Sequence, residues 1–451
     1  MGLSEFEEMK PIIENAALGS YLILPLRFSE NTLDINWIQK NCEFKNITTM
    51  DLNEQIKTMF DPQNPVHAGV CYTLSPEYLI QEIDSSLSGI SPATNKSGSD
   101  FAVIHKEKQP SEIDWDKNQF QITSLHLAIF QTETAFLALG IQHSTMETLL
   151  QIRNPGYANS ISKYYYKDTN GTAHEFSLDS ALLSLLGKAG LQPFFQSGTS
   201  LFLEAFTYNI AVISKRFHEL ESIRQITFNQ HRMTPLTLSI TDESEADLHY
   251  VYAVKDQIQR TYRWGTCVSS QTLSYIVADP DMNITQEMKT QAEDGLPLVF
   301  LALYEKYTCL HFTELLSTIE KKQMFRLRNL KKKMLEFKAF GTVHPANISR
   351  WHNVKMIYQY LLETNGITEA IDDIDIKISI LSEHQHAIEA HRNDTIMGLI
   401  TIFGVVSILA SVLSIIQILN SGHLLEWIVT ILTSIGMLLI AWIAYLWDRR
   451  H

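Results

Sequence analysis

From Ile396 to Leu419 the chain reads IMGLITIFGVVSILASVLSIIQIL, without one charged residue, and a second apolar run extends from Trp427 to Trp447. Each is as long as a bilayer crossing, which needs about 20 residues at a rise of about 1.5 Å each. The polar piece between them, Asn420-Ser421-Gly422-His423, is too short for a domain. The two runs are therefore expected to form a tight helical hairpin across a membrane, with everything before them a large water-soluble part.

The flanking charges orient the hairpin. Arg392 precedes the first run, Arg449 and Arg450 follow the second, and the connection holds no Lys or Arg. Basic residues stay on the cytoplasmic side, which puts both termini inside and the loop outside. The start, MGLSEFEEMKPIIENAA, has neither a basic n-region with an apolar core nor a clean myristoylation match, since Phe6 stands where that motif wants Ser or Thr. The soluble part is expected to remain in the cytosol.

At 451 residues two or three structural units are expected. The net charge of −14 argues against a general nucleic-acid binder, which needs a cationic surface. Cys42, Cys71, Cys267 and Cys309 show no CxxC and no zinc spacing, and read as reduced core residues.

The fold class is α+β, in three parts. Residues 1–290 read as a mixed α/β domain that senses a ligand or regulates. Strands are expected at Tyr21–Phe28, around Val70, at Phe101–His105, and at Leu125–Phe130 and Ala135–Ile141, the last two joined by a Gln131-Thr132-Glu133-Thr134 turn. SLDSALLSLLGKAG reads as a helix with Ser177 as N-cap and Gly187 or Gly190 as its stop. Ser200–Ile213 is a strand or a strand–helix switch, and Ile83–Asp100, rich in Ser, Gly and Pro, a loop.

Residues 291–395 form a helical bundle and stalk. A long helix is expected from Leu296 to near Gly341, ended by the Pro345 turn. A second helix carries Trp351, Val354, Tyr358 and Leu361 on one face, and Asn365-Gly366 breaks the run. Ile367, Ile371, Ile374, Ile378, Leu381, Gln385 and Ile388 then alternate steps of four and three, a heptad seam that continues unbroken into the first apolar run. The seam serves either assembly about an axis or packing against the two preceding helices. Residues 396–451 are the transmembrane hairpin with its short outer loop and basic cytosolic tail.

This layout resembles the CorA family of metal-ion transporters. The resemblance implies a homopentamer in the bacterial inner membrane, with five long helices around a pore and the cytosolic domains as a funnel. The family's Gly-Met-Asn signature at the outer end of the first span is missing. Gln417-Ile418-Leu419-Asn420 stands there instead, with only Asn420 as a counterpart of the signature asparagine. Magnesium selectivity therefore does not carry over with the fold. LPLVFLALYEKYTCLHFTELL and LPLRF resemble signature-less members that accompany type III CRISPR defence systems. The activity implied is ion flux when the cytosolic domain binds a nucleotide messenger, S-adenosylmethionine joined to AMP.

Gly404, Ser407, Ser411 and Ser414 fall on one helix face, and with Asn420 they are candidate pore-lining residues. Small residues at this spacing equally serve close helix packing. Met397 and Ile400 below them are a candidate apolar gate. Arg449 and Arg450 form a basic ring at the inner mouth or anchor the helix at the headgroups. Lys321, Lys322, Arg326, Arg328, Lys331, Lys332 and Lys333 make a basic patch, facing anionic lipid, an acidic neighbour or solvent. Asp372, Asp373 and Asp375 are candidate ligands for a divalent ion between subunits. Arg260, Tyr262, Arg263 and Trp264 put cations beside rings able to stack on a base. No P-loop, Rossmann glycine pattern, nucleophile elbow or metalloprotease helix is present, so no enzymatic activity is expected. No cofactor is fixed by the sequence; a divalent metal such as Mg2+ and a signalling nucleotide are the candidates. The sequence thus favours a messenger-gated pentameric channel. The alternatives are a constitutive Mg2+/Co2+ transporter and a membrane-tethered enzyme or scaffold.

Overall fold

The computed structural model describes residues 4–29, 31–45, 52–64, 67–86, 101–105, 111, 113–154, 156, 162–167, 172–195, 200–239, 248–253, 255, 258, 260–279, 283–318, 324–421, 428 and 435. The chain is mixed α/β, with an N-terminal sheet domain followed by a long helical region. Met1–Thr318 and Asn329–Ile374 make one compact unit; Ile319–Arg328 and Asp375–His451 make another.

Thirteen strands form one sheet among the described residues: β1 (Ala17–Arg27), β2 (Cys42–Phe44), β3 (Gly69–Leu74), β4 (Phe101–His105), β5 (Gln119–Phe130), β6 (Thr134–His143), β7 (Ser162–Lys167), β8 (Ala173–Phe176), β9 (Gln192–Pro193), β10 (Phe206–Ile213), β11 (His249–Tyr252), β12 (Trp264–Val268) and β13 (Thr272–Ala278). Their order is β11-β12-β13-β10-β1-β6-β5-β4-β7-β8, with β3 pairing both β2 and β5 and β9 pairing the end of β1. Among the described residues only the β10–β13 pair is parallel. The β5–β6 hairpin pairs Ile129 with Ala135 across the expected turn.

β1 runs through the centre and is buried on both faces. Its Pro25 lacks a backbone donor and stands where the ladder on one side changes partner. Pairing with β10 stops at Ile23 and pairing with β9 starts at Leu26, so Pro25 sits in the gap between them. Its carbonyl accepts from the Phe194 amide on that same side.

Alternation along β1 and β10 divides the two faces. Leu18, Leu22, Leu24, Leu26, Ala211 and Ile213 join the main apolar core. The helices Met146–Arg153 and Leu220–His231 pack on the sheet. Three buried polar side chains on the Leu220–His231 side form a chain: Ser20 Oγ donates to Asn209 Oδ1 at 2.7 Å and lies 3.0 Å from His143 Nε2, and Asn209 Nδ2 reaches the Gln230 carbonyl at 3.3 Å. The opposite face, with Tyr21 and Tyr208, carries the helix Ile284–Thr318, whose Gly295 lies directly over the Tyr208 ring.

Ser177 caps the helix Leu178–Lys188 by accepting from the Ser180 amide, and Gly190 ends it at φ +72°. A side chain there would collide with the Thr32 carbonyl. Ser200–Ile213 resolves into a short 3-10 turn, Leu201–Glu204, followed by β10. All four cysteines are free and buried.

Three expectations are corrected. The long helix starts at Ile284, not Leu296, because its first turns are polar and invisible to hydropathy; Pro297 lies within it. The expected run to Gly341 resolves into that helix, a second helix Met324–Glu336 and a π-turn Phe337–Gly341, with residues 319–323 outside the described ones. Trp351 is not on the buried face of its helix. It is the N-cap of His352–Thr364 and 48% exposed, while Val354, Tyr358 and Leu361 are buried. The expected loop from Ile83 begins inside the helix Pro76–Ser86; the rest of it lies outside the described residues.

Gly366 takes φ +57° at the break after Thr364, and one helix then runs without interruption from Ile367 to Ser421. Along its seam Ile367, Ile374 and Ile378 are buried, whereas Ile388 is exposed.

Candidate functional site

A concavity forms where β3 and β5 meet the residues just beyond β1. Phe28, Gly69, Tyr72, Phe130, Tyr304 and the π-turn enclose an open cleft of about 760 Å³. That volume lies within the range of small-molecule sites, roughly 300–1,000 Å³. Its floor is a pair of stacked rings, Phe130 and Tyr304, with centroids 4.1 Å apart and planes 10° from parallel. Phe337 meets Tyr304 edge-on at 5.5 Å. Phe340, in the same π-turn, also lines the cleft and leaves half its surface exposed.

The polar part of the lining is His67, Gln131, Thr132, Lys333 and Glu336. Lys333 Nζ donates to Glu133 Oε1 at 2.8 Å, and His311 Nε2 stands 3.6 Å from Glu133 Oε2. His311 and Lys333 hold the Glu133 carboxyl well below the usual range, down to about 2. Glu133 does this from a left-handed backbone at φ +64°, at the tip of the β5–β6 hairpin. A non-glycine residue in that region is strained by on the order of 1–3 kcal/mol. Hairpin tip and cationic helix are thus joined at the edge of the cleft.

A fully buried carboxyl group, Glu305, follows Tyr304 on the same helix. Glu305 Oε1 accepts from Tyr358 Oη at 2.6 Å and from the Val343 amide at 3.1 Å. Burial pushes the Glu305 carboxyl up to about 7.

Among the described residues, only Lys333 of those singled out from sequence lines the cleft. Arg263 Nε and Arg216 Nη2 both bind Asp279 Oδ2 at 2.9 Å, and Asp279 is buried. Trp264 stacks on Tyr275 at 5.9 Å, Tyr262 bridges to Phe217, and Arg260 sits at φ +54°. None of the four lines the cleft. Asp372 and Asp373 are exposed and Asp375 half-buried; among the described residues no three His, Cys, Asp or Glu side chains gather around a metal position. Met397, Ile400, Gly404, Ser407 and Ser411 are exposed on the helix Ile367–Ser421, and Ser414 is half-exposed. The Ser411 hydroxyl donates back to the Ser407 carbonyl at 2.8 Å. Asn420 lies on the same helix. Arg449, Arg450 and nearly all of the second apolar run lie outside the described residues.

Among the described residues one helix is long and apolar enough to cross a membrane; its most apolar stretch has mean hydropathy 2.6, and none of it is buried.

No family model matches the chain, and no curated protein matches it. A solved structure described as the full-length CmaX protein aligns over 57% of this chain and 93% of that one, at 12% identity and a TM-score of 0.20. So slight a superposition carries no argument about this chain.

The cleft was not legible in the sequence. Its walls come from Phe28, from His67 to Tyr72, from Ile129 to Thr132, from Tyr304 and from Lys333 to Gly341. Only the fold brings these together. The one sequence signal was the Lys331-Lys332-Lys333 run, which reads equally as a solvated face.

Proposed function

We infer that the chain is the subunit of a homopentameric ion channel of the bacterial inner membrane, opened by a nucleotide messenger bound to its cytoplasmic N-terminal unit. The observation that carries this reading is the helix Ile367–Ser421, whose most apolar stretch is entirely uncovered. A contiguous apolar surface of that size is not stable in water, so lipid and further copies of the chain cover it. The small-residue face at Gly404, Ser407, Ser411 and Ser414 suits close approach of copies around an axis, with hydroxyl oxygens turned to a water-filled path. Met397 and Ile400 are the apolar gate, and the second apolar run closes the hairpin. The CorA-like layout and the absent Gly-Met-Asn signature favour a gated defence effector, as in type III CRISPR systems, over steady magnesium uptake.

The test is reconstitution in liposomes loaded with a reporter of ion release, with the copy number read by native mass spectrometry. Five copies, a silent resting state and release on adding a nucleotide messenger are expected. Constant magnesium flux indifferent to every nucleotide would replace this reading with that of a constitutive transporter.

A further inference from the structure

We propose that the 760 Å³ cleft binds a small ligand made of a planar aromatic ring and an anionic group, the ring against Phe340 and the anion on Lys333 in place of Glu133. The proposal rests on the reading that the N-terminal unit senses a ligand, and names the site and the chemistry that site takes.

The lining itself is asymmetric. Phe28, Tyr72 and Phe340 keep part of their rings uncovered around a floor of buried aromatics, so flat faces are on offer to a stacking partner. Gln131 and His67 add hydrogen-bonding groups between them, while the Thr132 hydroxyl is already engaged by Thr134 and Thr308. The cation at one end is Lys333, 43% exposed and within reach of a soluble anion. The other charge in the lining, Glu336, has Lys332 Nζ 3.6 Å from its carboxylate, which offsets its repulsion of an anion.

Glu133 supplies the independent observation. A carboxylate already occupies the Lys333 ammonium at 2.8 Å, delivered from a strained left-handed hairpin position. That geometry shows the Lys333 end to be an oxyanion position filled by the protein's own side chain. A ligand oxyanion competes for the same donor, and its arrival displaces the Glu133 carboxylate from Lys333. Binding and release of the Glu133 contact are then one equilibrium, and whatever weakens the internal contact strengthens the ligand.

The experiment uses the full-length protein in detergent and isothermal titration calorimetry with AMP, GMP, adenosine and inorganic phosphate. AMP or GMP is expected to bind, with adenosine and phosphate each weaker by about tenfold or more, since a charge-assisted hydrogen bond contributes about that factor. Lys333→Gln is expected to weaken the mononucleotide by about tenfold and leave adenosine unchanged, which also serves as the folding control. Phe340→Ser is expected to weaken nucleotide and nucleoside alike, and Glu133→Gln to tighten the nucleotide severalfold. Neither mononucleotide binding at millimolar concentration, or Lys333→Gln binding them as the parent does, overturns the proposal. The two readings fail separately. Lys333-dependent binding without ion release from liposomes keeps the cleft and removes the channel. Ligand-triggered release unchanged by Lys333→Gln keeps the channel and removes the cleft as its sensor.

Discussion

The Tyr358 hydroxyl donates to Glu305 Oε1 at 2.6 Å in a fully dry setting, tying the helix His352–Thr364 to the helix Ile284–Thr318. The Val343 amide completes the site from the turn after Gly341. Three separate segments therefore converge on one carboxyl group, and its protonation state sets how well they hold.

Burial raises the Glu305 carboxyl from 4.5 to about 7, against the opposing pull of the Tyr358 and Val343 bonds. Between those two values the folded chain keeps a proton that the unfolded chain gives up. The Glu305 contribution is thus fully present below about pH 4.5 and is lost as pH rises to about 7, on the order of 3 kcal/mol in all. His126, His143 and His231, which burial lowers to about 3, 4 and 4, contribute with the opposite sign over an overlapping window. The difference between parent and Glu305→Gln isolates the carboxyl. Urea titrations at stepped pH are expected to give equal stability near pH 4 and a variant more stable than the parent at pH 8. A difference that does not change with pH would place Glu305 in contact with water.

Glu133 separates backbone strain from charge. Glu133→Ala removes the pairing with Lys333 and His311 and keeps the left-handed strain at φ +64°. Glu133→Gly removes both. The glycine variant is therefore expected to melt higher than the alanine variant, by an equivalent of about 1 kcal/mol. Both should be less stable than the parent at neutral pH. Because the carboxyl is held down to about 2, its contribution is present above pH 4.5 and fades as pH falls toward that value. Thermal melts at pH 7 and pH 3 test both statements; alanine and glycine variants that melt together would show the turn to be unstrained.

Much of the sheet was legible because its signals are local. Phe101–His105 is a strand as read, and the Leu125–Ile141 hairpin pairs as its turn residues require. Helix ends were harder. The segment ITQEMKTQAED has no apolar stripe, so the start at Ile284 rests on packing that only the folded chain supplies. Trp351 has the right phase with Val354 and Tyr358, but an N-cap leaves the helical path and its side chain leaves the face. The heptad seam was right in period and mixed in meaning, with Ile374 buried and Ile388 exposed. The Arg260–Trp264 cluster shows the same limit for sites. A cation beside a ring in sequence says nothing of Asp279, which takes up Arg263 in the fold.

Gly295 of the long helix packs against Tyr208 of β10. A Cβ there would stand 2.6 Å from Cε1 of the buried Tyr208 ring. Alanine is the better helix former by about 1 kcal/mol. Overpacking a rigid aromatic typically costs about 1–3 kcal/mol. Steric conflict is the larger effect, so Gly295→Ala is expected to destabilise by up to about 2 kcal/mol in chemical denaturation, with m unchanged. A variant more stable than the parent would mean that Tyr208 swings aside freely.

Ile400 and Gly404 lie one helical turn apart on the uncovered helix, and opposite substitutions there discriminate a pore from an anchor. If Ile400 is part of an apolar constriction, a polar side chain admits water and the closed state leaks. Ile400→Ser is then expected to release ions from liposomes without ligand. Gly404→Leu adds bulk where copies of the helix approach, and is expected to lower both pentamer yield and ligand-triggered release. An anchor has neither constraint, since any apolar residue serves a lipid-facing helix. The two variants are measured side by side by ion release and native mass spectrometry, with Leu409→Ile as the conservative control. Ile400→Ser as tightly closed as the parent, together with Gly404→Leu still assembling and conducting normally, would reduce the helix to a tether.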